Sequence, residues 1–100
     1  MLSRFNDKAQ SAIALAESLA FDFGHNSVGT EHLLLALLKI KDAKIKIILE
    51  SYHVTANLFQ EELIELFGQK QTQPFYMEYT LAMKTLIETA ILYGKKRNED

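Results

Sequence analysis

The residues best placed to do chemistry are Thr30-Glu31-His32, preceded by His25 seven positions before His32. A carboxylate in the first turn of a helix sits near the positive end of the helix dipole and gains roughly 0.3–1 kcal/mol there. Its simplest role is therefore structural. An accessible Glu31 could also pair with a guanidinium, while free N–H groups at the same helix start receive a phosphate. Two imidazoles beside a carboxylate invite a metal reading too. The spacing fits no standard zinc motif, and H-E-x-x-H is absent. Each histidine is expected instead to hydrogen-bond backbone in the loop that leads into the helix.

Other chemistry is scarce. There is no cysteine, which removes thiolate nucleophiles, disulfides and Cys-based zinc sites. No Ser-His-acid pattern of known spacing occurs, and no Walker A pattern, G-x-x-x-x-G-K-[ST], is present. The chain thus reads as non-enzymatic, with no cofactor of its own. Lys39, Lys41, Lys44 and Lys46 form a local basic patch. It reads as a solvated face, with docking of an acidic adaptor as its functional alternative. Eleven basic against thirteen acidic residues leave no basic excess of the kind nucleic-acid or anionic-membrane binding needs. A helix-turn-helix DNA binder with Thr30–Lys39 as reading helix is the main competing class. Its chemistry is poor, because that helix offers mostly leucine.

Five helices are expected to position these groups. Phe5, Ala9, Ala12, Ile13, Ala16, Leu19, Ala20 and Phe23 recur at helical spacing, with Asn6 or Asp7 as cap and Gly24 past the end. Thr30 is the expected cap of helix two, whose five leucines and alanine cannot face water on any side and must be central. It closes near Lys39. The stretch Ile40 to Tyr52 is partly alternating, but a lone strand would have no partner, so a short helix three is favoured. Thr55 caps helix four, with Leu58, Phe59, Leu63, Leu66 and Phe67 inward, Glu61, Glu62 and Glu65 outward, and Gly68 closing it. Residues 69–78 form a polar connector, and Phe75, Tyr76, Met77 and Tyr79, clustered by it, are expected to pack across the junction between repeats. Thr80 starts helix five, with Leu81, Met83, Leu86, Ile87, Ala90 and Ile91 as its apolar set. A polar tail follows over 95–100. The opening residues lack an apolar signal segment and the longest apolar run, Leu33–Leu38, is too short for a membrane span, so a cytoplasmic protein is expected.

Helix five also echoes helix one. With Phe5 set on Tyr79, Ala9 meets Met83, Ile13 meets Ile87 and Ala16 meets Ala90, at the position where a tandem repeat would restart. Three blocks then carry a specific resemblance: Phe5-x-x-x-Ala9-Gln10, Gly24-His25-Asn26-x-Val28-Gly29-Thr30-Glu31-His32-Leu33-Leu34-Leu35-x-Leu37, and the restart Tyr79-Thr80. In these the chain resembles the Clp N-terminal (Clp repeat) domain of Hsp100 AAA+ unfoldases, and within them the ClpC branch. The resemblance covers repeat one over about 5–68 and only the first helix of repeat two, about 79–94.

The resemblance implies an all-α bundle without catalytic activity that binds adaptors or tagged substrates and passes them to an ATP-driven ring and its peptidase. ATP and magnesium would belong to that parent chain. In the ClpC branch such domains also accept phosphorylated arginine side chains, which makes Glu31 the expected guanidinium partner, with Thr30 and Asn6 beside it. Two departures stand out. Asn6 occupies a position where the family often has Thr or Ser, so a phosphate contact by a hydroxyl is not available there. Lys39-Ile40-Lys41-Asp42 replaces a Gly-rich turn. An incomplete second repeat would leave the apolar face of helix five uncovered and favour self-association. A stand-alone helical interaction module is the remaining alternative.

Overall fold

The computed structural model describes residues 7–40 and 44–96. In order along the chain it contains α1 (Asp7–Asp22), β1 (Ser27–Val28), α2 (Thr30–Lys39), α3 (Lys44–Ser51), α4 (Ala56–Phe67), β2 (Glu78–Tyr79) and α5 (Leu81–Lys96). Helix α2 is the axis of the bundle. It packs against α1, α3, α4 and α5, which is where its lack of a polar stripe required it to be. Leu35, Ala36 and Leu38 are fully buried, and Leu35 and Ala36 share one core cluster with Ile13, Ala16, Leu19, Ala20 and Phe23 of α1, Leu63 of α4, and Met83 and Ile87 of α5. Within the stretch of ambiguous period, Lys44–Ser51 is helical, as expected.

Three chain reversals are built by specific residues. Helix α1 closes in a Schellman motif: His25 N–H donates to the Ala20 carbonyl at 2.9 Å and Gly24 N–H to Phe21 at 3.0 Å, with Gly24 in the left-handed region at φ 77°. Helix α3 ends the same way on a non-glycine residue, His53 at φ 65°, with Val54 N–H donating to Leu49. Thr55 caps α4 through Leu58 N–H, and Thr80 caps α5 through Met83 N–H at 3.1 Å.

One feature was not legible in the sequence. β1 and β2 pair as a two-residue parallel ladder, Ser27 opposite Glu78 and Val28 opposite Tyr79. Glu78 N–H donates to Asn26 and Thr80 N–H to Val28. The segments that lead into α2 and α5 are thereby clamped together, and the all-α class stands with this short addition.

Several expected contacts are not made. The cap of α2 is Gly29 rather than Thr30, which is the first helical residue. On α4 only Leu63 is buried; Phe59 and Ile64 are half-buried against the core, while Leu58, Leu66 and Phe67 are exposed. On α5, Met83 and Ile87 are buried, but Leu81, Leu86 and Ala90 are exposed. Phe75 and Tyr76 also lie exposed, and only Met77 and Tyr79 of that cluster pack against the core. Among the described residues no element covers these apolar side chains on α4, on α5 and in the connector. Among the described residues no helix is long and apolar enough to cross a membrane.

Candidate functional site

The start of α2 is held by a chain of hydrogen bonds. Gly29 N–H donates to His32 Nδ1 at 2.9 Å. An amide N–H can only donate, so Nδ1 is the unprotonated nitrogen and the proton of neutral His32 sits on Nε2. That Nε2–H meets His25 Nδ1 at 2.9 Å, which must then accept. His25 Nε2–H in turn donates to the Gly68 carbonyl at 2.7 Å. One direction of donation therefore runs from the α2 cap through two neutral imidazoles to the end of α4. Burial pushes the His32 pKa below its ordinary 6.5; nearby Glu31 opposes that and His25 adds to it, and the net direction is down.

Each part of this relay has a local cause. The Schellman turn at Gly24 swings His25 back over the bundle. Gly68 has φ 78° and ψ 178°, a conformation essentially confined to glycine, and this presents its carbonyl to His25. The two rings meet edge to face at 5.2 Å, and His25 also meets Phe67 edge to face at 6.4 Å. His32 bonds backbone of the loop before α2 as expected, whereas the backbone partner of His25 is Gly68 at the end of α4; no group of three metal-ligating side chains is found among the described residues. Their bond to each other was not foreseen, because seven residues of separation across a loop carry no periodic signal.

Glu31 stands beside the relay without joining it. Its Oε1 lies 3.6 Å from His32 Nδ1, but that nitrogen already accepts from Gly29, so in the neutral state this contact is not an ion pair. The carboxylate folds back over Gly29 so closely that a Cβ there would overlap Oε1, with Cδ and Oε2 at 2.6 Å. Its side chain keeps 29% exposure. Around it opens a cavity of about 340 Å³ whose lining includes His25, Asn26, Glu31, Phe67, Lys70 and Thr80. Lys70 is brought there by backbone: its N–H donates to the Phe23 carbonyl at 2.9 Å, against the turn at Gly24. A cavity lined by both a glutamate and a lysine suits a ligand that carries both a cationic and an anionic group.

Thr30, half-buried, adjoins Glu31, whereas Asn6 lies outside the described residues. The basic patch is divided. Lys39 and Lys44 are exposed, Lys46 is half-buried, and Lys41 lies outside the described residues. None of the three described lysines lines the Glu31 cavity. Lys39 is eight residues from Glu31 along α2, about 12 Å at 1.5 Å per residue. Lys70, Phe67, Asn26 and Thr80 were missed because the connector after α4 gives no sign that it folds back onto α1.

Comparison with known proteins agrees with this architecture. The family model described as the Clp repeat (R) N-terminal domain matches residues 4–100. The chain is 32% identical over 96 residues to the negative regulator of genetic competence ClpC/MecB of Bacillus subtilis (strain 168). It has the same identity to the ATP-dependent Clp protease ATP-binding subunit ClpC of Staphylococcus aureus (strain USA300). The matched region is 96% of this chain and 12% of each relative, so the chain spans only a small part of their length. Among solved structures, the N-domain of ClpV from Vibrio cholerae aligns with a TM-score of 0.73 at 19% identity, over 94% of this chain and 57% of that one. A complex of the ClpV N-domain with a VipB peptide aligns at 0.70 with the same identity and coverage. The chain belongs to the Clp repeat N-terminal domain family.

Proposed function

We propose that this Clp repeat domain is a non-catalytic, cytoplasmic receiver of adaptors and protein substrates, acting for a Clp unfoldase. The unfoldase ring, using ATP and magnesium, and its peptidase would lie in the parent assembly. Kinship with ClpC supports this reading, as does the peptide held by the ClpV N-domain in its complex. The single observation that carries the site is the accessible Glu31 carboxylate in a cavity that also presents Lys70.

In its sharper form the ligand is a phosphorylated arginine side chain. Glu31 faces the guanidinium, the α2 start and Thr30 border the site, and Lys70 supplies the positive charge for the phosphate. The helix-turn-helix reading loses its support, because the helix it would place in a DNA groove is packed between four others. Calorimetry with a phosphoarginine peptide and the unphosphorylated control tests the proposal. Glu31→Ala and Lys70→Ala should each weaken phosphopeptide binding by tenfold or more. Equal binding by the native chain and Glu31→Ala rules out Glu31 as the guanidinium partner.

A further inference from the structure

A second concave surface lies away from the Glu31 cavity and shares no lining residue with it. The left-handed turn at His53 folds the chain from α3 into α4 and leaves a groove of about 590 Å³ between α2, α3 and α4. Leu34, Leu49, Val54 and Phe59, all half-buried, form its apolar lining, together with the more exposed Leu58. Its polar lining is Glu61, Glu62, Glu65 and His53, with no lysine or arginine among the described residues. Helix α3 has further apolar groups in water: Ile47 is 65% exposed, Ile48 53% and Tyr52 75%.

We propose that this groove docks a cationic amphipathic segment of a partner protein, with an apolar anchor side chain seated between flanking lysines or arginines. The apolar lining supplies the anchor site, and apolar residues left in water beside a groove are the usual mark of such docking. The rim selects the charge. Glu61 and Glu65 are like charges at i, i+4 on one helix, an arrangement that costs stability in the free chain. No ion pair among the described residues engages Glu61, Glu62 or Glu65. A cationic partner turns that repulsion into attraction, whereas an acidic or purely apolar segment does not.

The test uses a labelled helical peptide of leucine and lysine and its leucine-glutamate counterpart, followed by fluorescence anisotropy with the intact chain. The lysine peptide should bind, and the glutamate peptide should bind at least tenfold more weakly. The double variant Glu61→Lys/Glu65→Lys, at exposed positions, should lower affinity tenfold or more while its thermal melt stays cooperative. Glu88→Lys, an exposed charge reversal on α5 of half that size, should leave affinity within twofold, and so should Glu31→Ala, which separates this groove from the phosphoarginine site. Amide shifts in the NMR spectrum should centre on Leu49, Val54 and Phe59. Equal binding of both peptides would overturn the proposal as apolar association without charge selection, and an equal loss in Glu88→Lys would overturn it as diffuse charge attraction. Self-association of the chain that Glu61→Lys/Glu65→Lys abolishes would also overturn it, by giving the groove to a second copy.

Discussion

His32→Leu is the most informative single change, because it separates the structural relay from the carboxylate beside it. Leucine keeps much of the buried volume but can neither accept nor donate. Gly29 N–H, itself buried, loses its acceptor, at about 1–3 kcal/mol for an unsatisfied donor, and the bond to His25 is worth a further ~0.5–1.5 kcal/mol. The expected loss is about 2–4 kcal/mol, or a fall in melting temperature of at least about 8 °C for a domain of this size. The pH dependence adds an independent signature. His32 is held neutral in the fold, with its pKa lowered from 6.5, so below that pH the unfolded chain binds a proton that the folded chain refuses. Stability is then complete above pH 6.5 and declines as pH falls toward the folded pKa. The decline reaches at most about 1.4 kcal/mol at pH 5.5. Urea denaturation at pH 7.5, 6.5 and 5.5 should show this decline in the native chain and its loss in His32→Leu. If the variant keeps the same decline, or if acid stabilises the native chain, the neutral relay is wrong and His32 is protonated against Glu31.

Three further outcomes follow from backbone geometry. Gly24→Ala forces a side chain into the left-handed region and places Cβ 2.8 Å from the Lys70 carbonyl and 3.0 Å from that of Thr72; denaturation should show a loss of about 2–5 kcal/mol. Gly29→Ala meets only the movable Glu31 carboxylate at an ordinary φ of −112°, so the melt should change by no more than about 1 kcal/mol. Phosphopeptide affinity, measured by calorimetry, should nonetheless shift severalfold; unchanged affinity would show that the folded-back carboxylate is not the binding form. At position 53 the usual helix preference should invert, with His53→Gly more stable than His53→Ala by about 1–2 kcal/mol in denaturant midpoint.

What the sequence made legible follows from periodicity and local punctuation. α2 announced its burial by lacking a polar face, and Thr55, Gly68, Thr80 and Gly24 act at the helix ends where their chemistry put them. The misses are of another kind. The cap at Thr30 was read from residue type alone, while the fold uses an imidazole three residues past Gly29 to accept the cap N–H. Leu66, Phe67 and Leu86 carry helical apolar spacing, yet spacing marks a face and cannot say whether a neighbour exists to cover it. The 27–28 and 78–79 ladder and the approach of Lys70 to Gly24 are contacts across more than forty residues. No local pattern encodes them.

The candidate site also shows why a short polar segment can be so specific in its residue types. Gly24 is required by a left-handed turn against the 70–72 backbone, and His25 and His32 by a relay with a single allowed direction of donation, while Gly29 leaves room for the carboxylate folded over it. The donors and acceptors that define the relay are committed to the fold, so little of that polarity is left for a ligand. Glu31 differs. Its contact with His32 is not an ion pair in the neutral relay, its side chain stays partly exposed, and the groups beneath it are locked by the bonds that bury His32. In the contact proposed above, a carboxylate on such a rigid seat would meet the guanidinium without first ordering its surroundings, which is where preorganisation contributes affinity. The same rigidity explains why binding should be lost in two separable ways. Removing Glu31 takes away the contact and leaves the fold, whereas removing His32 leaves the carboxylate but loosens what it stands on.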